Sequence, residues 1–209
     1  MQLLQNLGVF GIDLKRLEAN SIHIHKDLII SCKTGDQKAF KQLYMLYAKS
    51  MFNVALRIVK YKDEAEDVTQ EAFIKAYYKI NQFDFQATFG AWLKKIVVNQ
   101  ALDLLRRESK WDMDQIGEES ISEESEIDWE GIDLQVDLVK KAIRNLPSGF
   151  RTVATLYLFE GFEHKEIAEI LSISVNTSKS QFHRAKKRIK DFIQDYEKGN
   201  RQTGAIYQQ

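Results

Sequence analysis

A predicted helix between residues 175 and 190 carries side chains suited to binding nucleic acid. Its polar positions recur at three- and four-residue steps and share one face: Asn176, Thr177, Ser180, His183, Arg184 and Lys187. Amide and imidazole groups can hydrogen-bond to base edges in a major groove, and cations can contact phosphates or guanine. The opposite face forms a stripe that we expect to be buried: Val175, Ser178, Phe182, Ala185 and Ile189.

The segment before this helix indicates a helix-turn-helix. The preceding helix has a short apolar face made by Ile167, Ala168, Ile170 and Leu171. The turn spans residues 171–174, with Ser174 as the N-cap of the basic helix. Ser172 lies at the turn position where such motifs usually carry Gly, and a left-handed residue there costs roughly 1 kcal/mol more for Ser than for Gly. Ser178 lies in the middle of the buried stripe, at a position where a branched apolar residue is expected. An ordinary amphipathic hairpin would share the periodicity, but the turn pattern joined to a long basic helix favours DNA binding.

A second candidate surface is the acidic start of the helix predicted from Asp63. Its first turn contains Asp63, Glu64, Glu66 and Asp67. Carboxylates there favour the positive end of the helix dipole, which explains these four acids without a functional role. It does not explain the polar residues one turn further on. We therefore interpret Asp67, Gln70 and Glu71 as a patch that docks a basic partner.

A third candidate surface combines aromatic and polar residues on the helix that begins at Phe89. One stripe of this helix contains Trp92, Ile96, Asn99, Asp103 and Arg106. The loop before it contains Phe83 and Phe85, and such a group could stack on and hydrogen-bond to unpaired bases. Core packing of Trp92 and both Phe residues is an equally good interpretation of the pattern.

The apolar spacing predicts an all-α fold of two small helical domains joined by an acidic flexible linker. A single Pro and few alternating apolar runs argue against strands. The predicted boundaries are an N-terminal extension at 1–25, a first domain at 26–111, a linker at 112–133, a helix-turn-helix domain at 134–197 and a tail at 198–209.

The formal net charge of zero hides a strong asymmetry along the 209 residues. Residues 1–111 hold 17 Lys and Arg against 12 acids, residues 112–137 hold 11 acids and no base, and residues 138–209 hold 13 bases against 7 acids. Basic modules on either side of an acidic strip imply a polyanionic partner. The single Cys32 excludes a disulfide framework and fits a reducing compartment. We expect a cytoplasmic protein without a secretory signal or membrane insertion.

From about residue 26 to 195, the chain resembles the extracytoplasmic-function (ECF) group of sigma-70 family sigma factors of bacterial RNA polymerase. The resemblance rests on five stretches in a fixed order, with the acidic spacer after the third: GDQKAFKQLYMLYAKSMFNVALRIV, DEAEDVTQEAFIKAYYKI, FGAWLKKIVVNQALDLLRR, LPSGFRTVATLYLFEGFEHKEIAEILSIS and VNTSKSQFHRAKKRI. It implies a factor that binds core polymerase and directs promoter-specific transcription initiation. The sequence shows no Ser/His/Asp, Cys/His or Gly-rich phosphate signature, and we expect no enzymatic activity, cofactor or metal.

The resemblance assigns the three surfaces to three tasks. Asp67, Gln70 and Glu71 would bind the clamp helices of the largest polymerase subunit. The first domain, called region 2 in this family, would melt the minus-ten element with Phe83, Phe85, Trp92, Asn99, Arg106 and Arg107. The second domain, region 4, would read the minus-thirty-five element, with Lys179, Ser180, His183 and Arg184 at the matching positions. Many relatives have Gly-Thr-Val where this chain has Asn176-Thr177-Ser178. Partners implied are core RNA polymerase, promoter DNA and an anti-sigma factor, and the linker would pass through the polymerase active-site cleft.

Two other classes of protein fit the sequence less well. A regulator with a phosphoacceptor receiver would need alternating strands and helices, whereas the first half here is helical. A helical metal-dependent phosphohydrolase built on the Asp63–Glu71 carboxylates would want His ligands, and all four His residues lie far from that cluster in sequence.

Overall fold

A computed structural model describes residues 24–108 and 136–206, with side chains placed for 24–108 and 137–198. Within these ranges the chain contains helices and no strands, and two helical modules are present. The all-α prediction is confirmed. The predicted linker at 112–133 and all but the last two residues of the predicted extension at 1–25 lie outside the described residues.

The described chain divides into a front module of four helices and a back module of four helices. The front module contains α1 (Lys26–Lys33), α2 (Gln37–Val59), α3 (Lys62–Lys79), a 3-10 turn (Ile80–Gln82) and α4 (Phe89–Arg107). The back module contains α5 (Val136–Arg144), α6 (Ser148–Leu158), α7 (His164–Leu171) and α8 (Val175–Ile206).

Local capping residues set the starts of the front-module helices. Asp36 caps α2, because its carboxylate accepts hydrogen bonds from Lys38 N at 2.8 Å and Ala39 N at 3.3 Å. Thr88 caps α4 by accepting from Ala91 N at 3.1 Å. The expected start of α3 at Asp63 is wrong, since the helix begins at Lys62 and Asp63 lies inside its first turn.

The front module packs its helices around one apolar core. α2 lies against both α3 and α4, and its residues Leu43, Ala55 and Ile58 are fully buried. At the start of α4, a Cβ added to Gly90 would lie 3.1 Å from the Tyr47 ring, so the absence of a side chain lets α4 approach α2 closely. The core thereby holds α3 and α4 side by side, with their polar faces outward.

The back module packs α5, α6 and α7 against α8. Of the predicted stripe, Ser178, Ala185 and Ile189 are buried and Val175 and Phe182 are half-buried, and Ile193 continues the buried side further along the helix. α8 continues to Ile206 and so runs through most of the predicted tail at 198–209. Extending an existing helix adds a backbone hydrogen bond for each residue ordered without a new nucleation step, and no Pro interrupts this segment.

The two modules are in contact with one another. α6 packs against α2, and the buried side chains of the front module form one continuous cluster with Val153, Leu156 and Phe162 of the back module. No helix in the part of the chain that the structure describes is long and apolar enough to cross a membrane.

Candidate nucleic-acid interface

The turn between α7 and α8 has the geometry that the sequence predicts. Ser172 adopts φ 57° and ψ 45°, in the left-handed region that favours glycine. Ser174 caps α8, since its Oγ accepts a hydrogen bond from Thr177 N at 2.9 Å. At the start of α7, the Glu166 carboxylate accepts a hydrogen bond from Glu163 N at 2.9 Å. These contacts fix where each helix of the hairpin begins.

The residues predicted to read DNA lie on the polar face of α8 and differ in their exposure to solvent. Exposed members are Asn176, Lys179 and Lys187, and half-buried members are Thr177, Ser180, His183 and Arg184. Two hydroxyls have local partners: Ser180 Oγ donates to Asn176 O at 3.0 Å, and Thr177 Oγ1 lies 2.8 Å from Ser174 Oγ. An amide, an imidazole and several cations therefore share one side of α8, which is a suitable donor set for a DNA groove.

The buried side of α8 explains the unusual Ser178. Its side chain is completely buried, and its Oγ lies 2.9 Å from Nδ1 of His164, the first residue of α7. The imidazole stacks on Tyr157 of α6 with ring centroids 4.6 Å apart, and it also contacts Phe182 of α8. Burial, followed by the nearby Lys179 and Lys186, lowers the pKa of His164 below its usual value. His164 thus joins three helices of the back module through its neutral form.

In the loop between α3 and α4, the structure corrects the role expected of Phe83. Its ring is 1% exposed and packs against Phe85, Phe89 and Trp92, with centroids 4.9, 5.8 and 5.4 Å away. A ring enclosed in this way has no free face for a nucleotide base. Burying the apolar ring is more favourable than leaving it in water, so Phe83 packs beneath the loop and supports it.

Phe85 lies nearer the surface of the same loop, in a strained conformation. It has φ 62°, which is uncommon for an aromatic residue, and its ring is half-buried. The Lys33 ammonium lies 4.9 Å from its ring centroid and also donates a hydrogen bond to the Phe83 carbonyl oxygen. Lys33 therefore ties this loop to α1 through two contacts.

The face of α4 that leaves the core contains the remaining predicted contacts to unpaired DNA. Trp92 is half-buried beside Phe83, whereas Asn99, Arg106 and Arg107 are exposed further along the helix. Arg106 lies 3.6 Å from the Asp103 carboxylate, an exposed pair that water and salt weaken. An indole edge, an amide and two guanidinium groups thus follow one another along the surface of α4.

The acidic patch on α3 adjoins α4 through a buried amide. Asp67, Gln70 and Glu71 are exposed, but the Glu71 carboxylate accepts a hydrogen bond from Gln100 Nε2 at 2.5 Å. Gln100 is buried, and its Oε1 accepts from Lys75. A groove of about 410 Å³ between the two helices is lined by Glu71, Lys75, Gln100, Asp103, Arg106 and Arg107. The structure brings the predicted docking patch next to part of the predicted minus-ten surface.

Sequence patterns missed several residues that the structure brings into these surfaces. His164 carried no signal of its own, although the unexpected Ser178 on the buried stripe marked the position where a polar partner was needed. Gln100 and Glu160 were also missed, because their partners lie 29 and 103 positions away in the chain.

Comparison with known proteins identifies relatives of both modules. Residues 43–110 match the family described as Sigma-70 region 2, and residues 137–189 match the family described as Sigma-70, region 4. The chain is 33% identical over 181 residues to the ECF RNA polymerase sigma factor SigW of Bacillus subtilis, an alignment that covers 81% of this chain and 97% of the relative. It is also 33% identical over 178 residues to the ECF RNA polymerase sigma-E factor of Escherichia coli, covering 80% of this chain and 93% of the relative.

Solved structures give a consistent result. The sigma factor RpoE of Bartonella quintana, solved in complex with the anti-sigma factor NepR, aligns with a TM-score of 0.51 and 28% identity over 75% of this chain and 98% of that one. CnrH, solved with the cytosolic domain of CnrY, aligns with a TM-score of 0.51 and 23% identity over 80% of this chain and 96% of that one. The second similarity supports the fold alone.

Proposed function

Because this chain belongs to the ECF group of the sigma-70 family, we propose that it binds core RNA polymerase and directs it to promoters by reading a minus-thirty-five element and melting a minus-ten element. The chain acts in promoter-specific transcription initiation by RNA polymerase. The single observation that carries the finer proposal is the order of the two family matches, region 2 on the front module and region 4 on the back module.

The back module is proposed to bind the minus-thirty-five element with α8 in the major groove. Its capped start supports this, because hydrogen-bonding side chains near the start of a recognition helix can reach base edges. Asn176 and His183 are assigned to base discrimination, at roughly 1–3 kcal/mol for each good contact. Lys179, Lys187 and Arg184 are assigned to phosphate or guanine contacts, with Thr177 and Ser180 holding the first turn in place.

The front module is proposed to open the minus-ten element and hold an unpaired base beside α4. Asn99 would hydrogen-bond to the base, and Arg106 and Arg107 would follow the backbone of the single strand. Trp92 and Phe85 are half-buried and would supply aromatic surface for stacking. Buried Phe83 would act indirectly by supporting the loop.

Docking to polymerase is proposed to use the exposed patch of Asp67, Gln70 and Glu71 on α3. The partner would be the clamp helices of the largest subunit, which have to present basic side chains to this patch. Gln100 supports the assignment, because its hydrogen bond holds the Glu71 carboxylate in one orientation. The DNA-opening surface of α4 lies across the groove from this patch.

An anti-sigma factor is a further proposed partner, supported by the similarity to the RpoE structure solved with NepR. We also propose that the protein is not itself catalytic, and that the acidic residues 112–133 pass through the polymerase cleft while the two modules bind the two promoter elements.

The decisive test is run-off transcription with purified core polymerase over a pool of genomic promoter fragments. We expect transcripts from one promoter class that core polymerase alone does not start. A regulator would instead leave the polymerase subunit composition unchanged and act only with another sigma factor present. Failure to join core enzyme and to redirect its start sites would refute the proposed function.

A further inference from the structure

Two lysines of α1 lie beside the aromatic ring of Phe85, in the loop before α4. Lys26 and Lys33 are the first and last residues of α1, and because they are seven positions apart they share one face of this helix. The Lys33 ammonium lies 4.9 Å from the centroid of the Phe85 ring, and the Lys26 ammonium lies 5.9 Å from it. Both cations belong to a helix that ends before residue 43, where the match to region 2 begins.

The loop holds the Phe85 ring near the surface although its neighbour is buried. Phe83 is 1% exposed, whereas Phe85 is half-buried, and the two ring centroids lie 4.9 Å apart at an angle of 54°. This placement requires the strained φ of 62° at Phe85. Asp84 stabilises the turn, because its carboxylate accepts a hydrogen bond from Gln86 N at 3.0 Å. The fold thus keeps an aromatic surface accessible and places cations, not further apolar groups, next to it.

Phe83 connects this ring with the surface of α4 that is proposed to follow the separated strand. Its centroid lies 5.4 Å from that of Trp92, so Phe85 and Trp92 pack on the same buried ring. Arg106 and Arg107 lie on α4 about 21 Å further along the helix axis than Trp92. A strand that follows α4 from these arginines towards the loop would therefore arrive at the lysines of α1.

A nucleotide base can replace the Lys33 ammonium on the Phe85 ring. A cation over an accessible ring gains a factor of about two to five, whereas a base stacked on an aromatic side chain gains about fivefold or more. The displaced ammonium stays close to the loop, because Lys33 also donates a hydrogen bond to the Phe83 carbonyl oxygen. It would there meet the phosphate that adjoins the stacked base.

We propose that Phe85, Lys26 and Lys33 form a nucleotide site, in which an unpaired base stacks on the ring and the two ammonium groups bind the adjoining phosphates. This inference rests on the proposed function, in which the front module opens the minus-ten element, and it adds α1 to the surface that binds the separated strand. The ligand is single-stranded DNA, because the bases of a duplex are already stacked on one another. Without DNA, Lys33 covers the ring and holds the loop against α1.

Binding of single-stranded DNA to the full-length free protein tests this site. Fluorescence anisotropy follows a labelled strand of about 12 nucleotides and random sequence between about 50 and 200 mM salt. Each phosphate contact contributes about 0.7 to the slope of log affinity against log salt concentration. Lys33→Met should therefore make the slope shallower by about 0.7, and the double variant Lys26→Met with Lys33→Met by about 1.4.

The salt dependence separates a phosphate contact from damage to the loop. With a slope change of about 0.7, the affinity difference between Lys33→Met and the original protein should shrink about 2.6-fold over this salt range. A distorted loop would instead weaken binding by the same factor at every salt concentration, and that result would overturn the proposal. Thermal unfolding followed by far-UV circular dichroism checks that each variant is folded.

Two further variants provide matched controls. Lys33→Arg keeps the cation and should keep the original slope. Lys49→Met removes an exposed cation of α2 and should also leave the slope unchanged. An unchanged slope in Lys33→Met, or an equally shallow slope in Lys49→Met, would overturn the proposal.

Phe85→Leu tests whether the ring and the ammonium bind the same nucleotide. Loss of the ring should weaken binding about fivefold or more. Adding Lys33→Met should then change the slope no further, because no stacked base holds a phosphate beside the lysine. The same slope change with and without the ring would mean a general attraction to DNA and would overturn the shared site. If the protein directs no promoter-specific transcription, the proposed function fails, while these measurements still decide whether the site binds single-stranded DNA.

Discussion

At the scale of single residues, the buried side of α8 is held by polar as well as apolar contacts. Ser178 would leave a hydroxyl without a partner in an apolar stripe, but His164 provides one at 2.9 Å. The same imidazole packs against the rings of Tyr157 and Phe182, which also contact each other. Because this imidazole is buried with a lowered pKa, the stability of the back module should depend on pH.

Replacing His164 with Phe should flatten the pH dependence of stability. The pKa of His164 is lowered in the folded protein, so below about pH 6.5 the unfolded chain binds more protons than the folded one. Stability from the neutral imidazole is complete above that pH and is lost as the pH falls towards the folded pKa. Urea unfolding at pH 7.5 and 5.5 should therefore show a smaller difference in His164→Phe than in the original protein.

Ser178→Ala is the matched control for this prediction. It removes the hydrogen bond but keeps the buried imidazole beside Lys179 and Lys186, so it should lower the free energy of unfolding at pH 7.5 by about 1 kcal/mol and retain most of the pH dependence. An unchanged pH dependence in His164→Phe would contradict the assignment.

Asn99→Ala should impair strand opening more than initial promoter binding. The exposed amide is proposed to contact an unpaired base, and such a contact exists only after melting. A loss of roughly 1–3 kcal/mol would reduce the ratio of open to closed complexes about 5-fold to 150-fold. Permanganate footprinting measures the open complex, and binding at low temperature measures the closed one. Lys95→Ala, another exposed change on α4, is the control, and equal losses at both steps in Asn99→Ala would argue against base capture.

At the scale of secondary-structure elements, the features that the sequence predicted depend on neighbours in the chain. The Ser174 cap and the left-handed Ser172 each involve residues within a few positions. Contacts between helices were not predicted. The His164–Ser178, Glu71–Gln100 and Arg57–Glu160 pairs join residues 14, 29 and 103 positions apart. Helical periodicity says which face is buried but not which side chain of another helix lies against it.

Helical periodicity likewise does not say which aromatic residues around the loop before α4 are buried. Sequence patterns left Phe83, Phe85 and Trp92 open between core packing and base stacking. Phe83 is buried and the other two are half-buried. The choice depends on how the loop folds back over α4, and the φ of 62° at Phe85, which makes that path possible, has no signature in an aromatic residue.

Ser172→Gly should stabilise the hairpin of α7 and α8. Glycine adopts the left-handed conformation without a Cβ clash, and after the greater entropy of the unfolded chain is allowed for, we expect a gain of about 0.5–1 kcal/mol. The midpoint of thermal unfolding should rise by a few degrees. Ser174→Ala, two residues away, removes the cap and should lower stability by about 1 kcal/mol. A fall in stability for Ser172→Gly would mean that the serine side chain makes a contact worth more than the strain.

Asp67→Lys combined with Glu71→Lys should weaken binding to core polymerase at least tenfold. Both carboxylates are exposed on α3 and are proposed to face basic side chains of the clamp helices. Fluorescence anisotropy of labelled protein measures the affinity. Asp191→Lys with Asp195→Lys makes the same net charge change on exposed positions of α8. Equal losses in the two double variants would remove the docking assignment.

At the scale of the whole molecule, the distribution of charge predicts that the free protein binds DNA weakly. Two basic modules are joined by residues 112–133, which hold ten acids and no base, and the formal net charge is zero. In the proposed function, polymerase would hold the two modules at a fixed spacing and so raise the effective concentration of each at its DNA element.

Neutralising the acidic linker should therefore increase the affinity of the free protein for DNA. Changing every Asp and Glu in residues 112–133 to Asn and Gln leaves a net charge of about +10 and removes an anionic competitor for the basic surfaces. We expect several-fold tighter binding to promoter fragments at low salt. The gain should shrink as ionic strength rises, because salt screens interactions between exposed charges. A linker with the original composition in shuffled order is the control and should bind as weakly as the original. Equal affinity of the neutralised and original proteins at low salt, measured by anisotropy, would show that the linker charge does not oppose DNA binding.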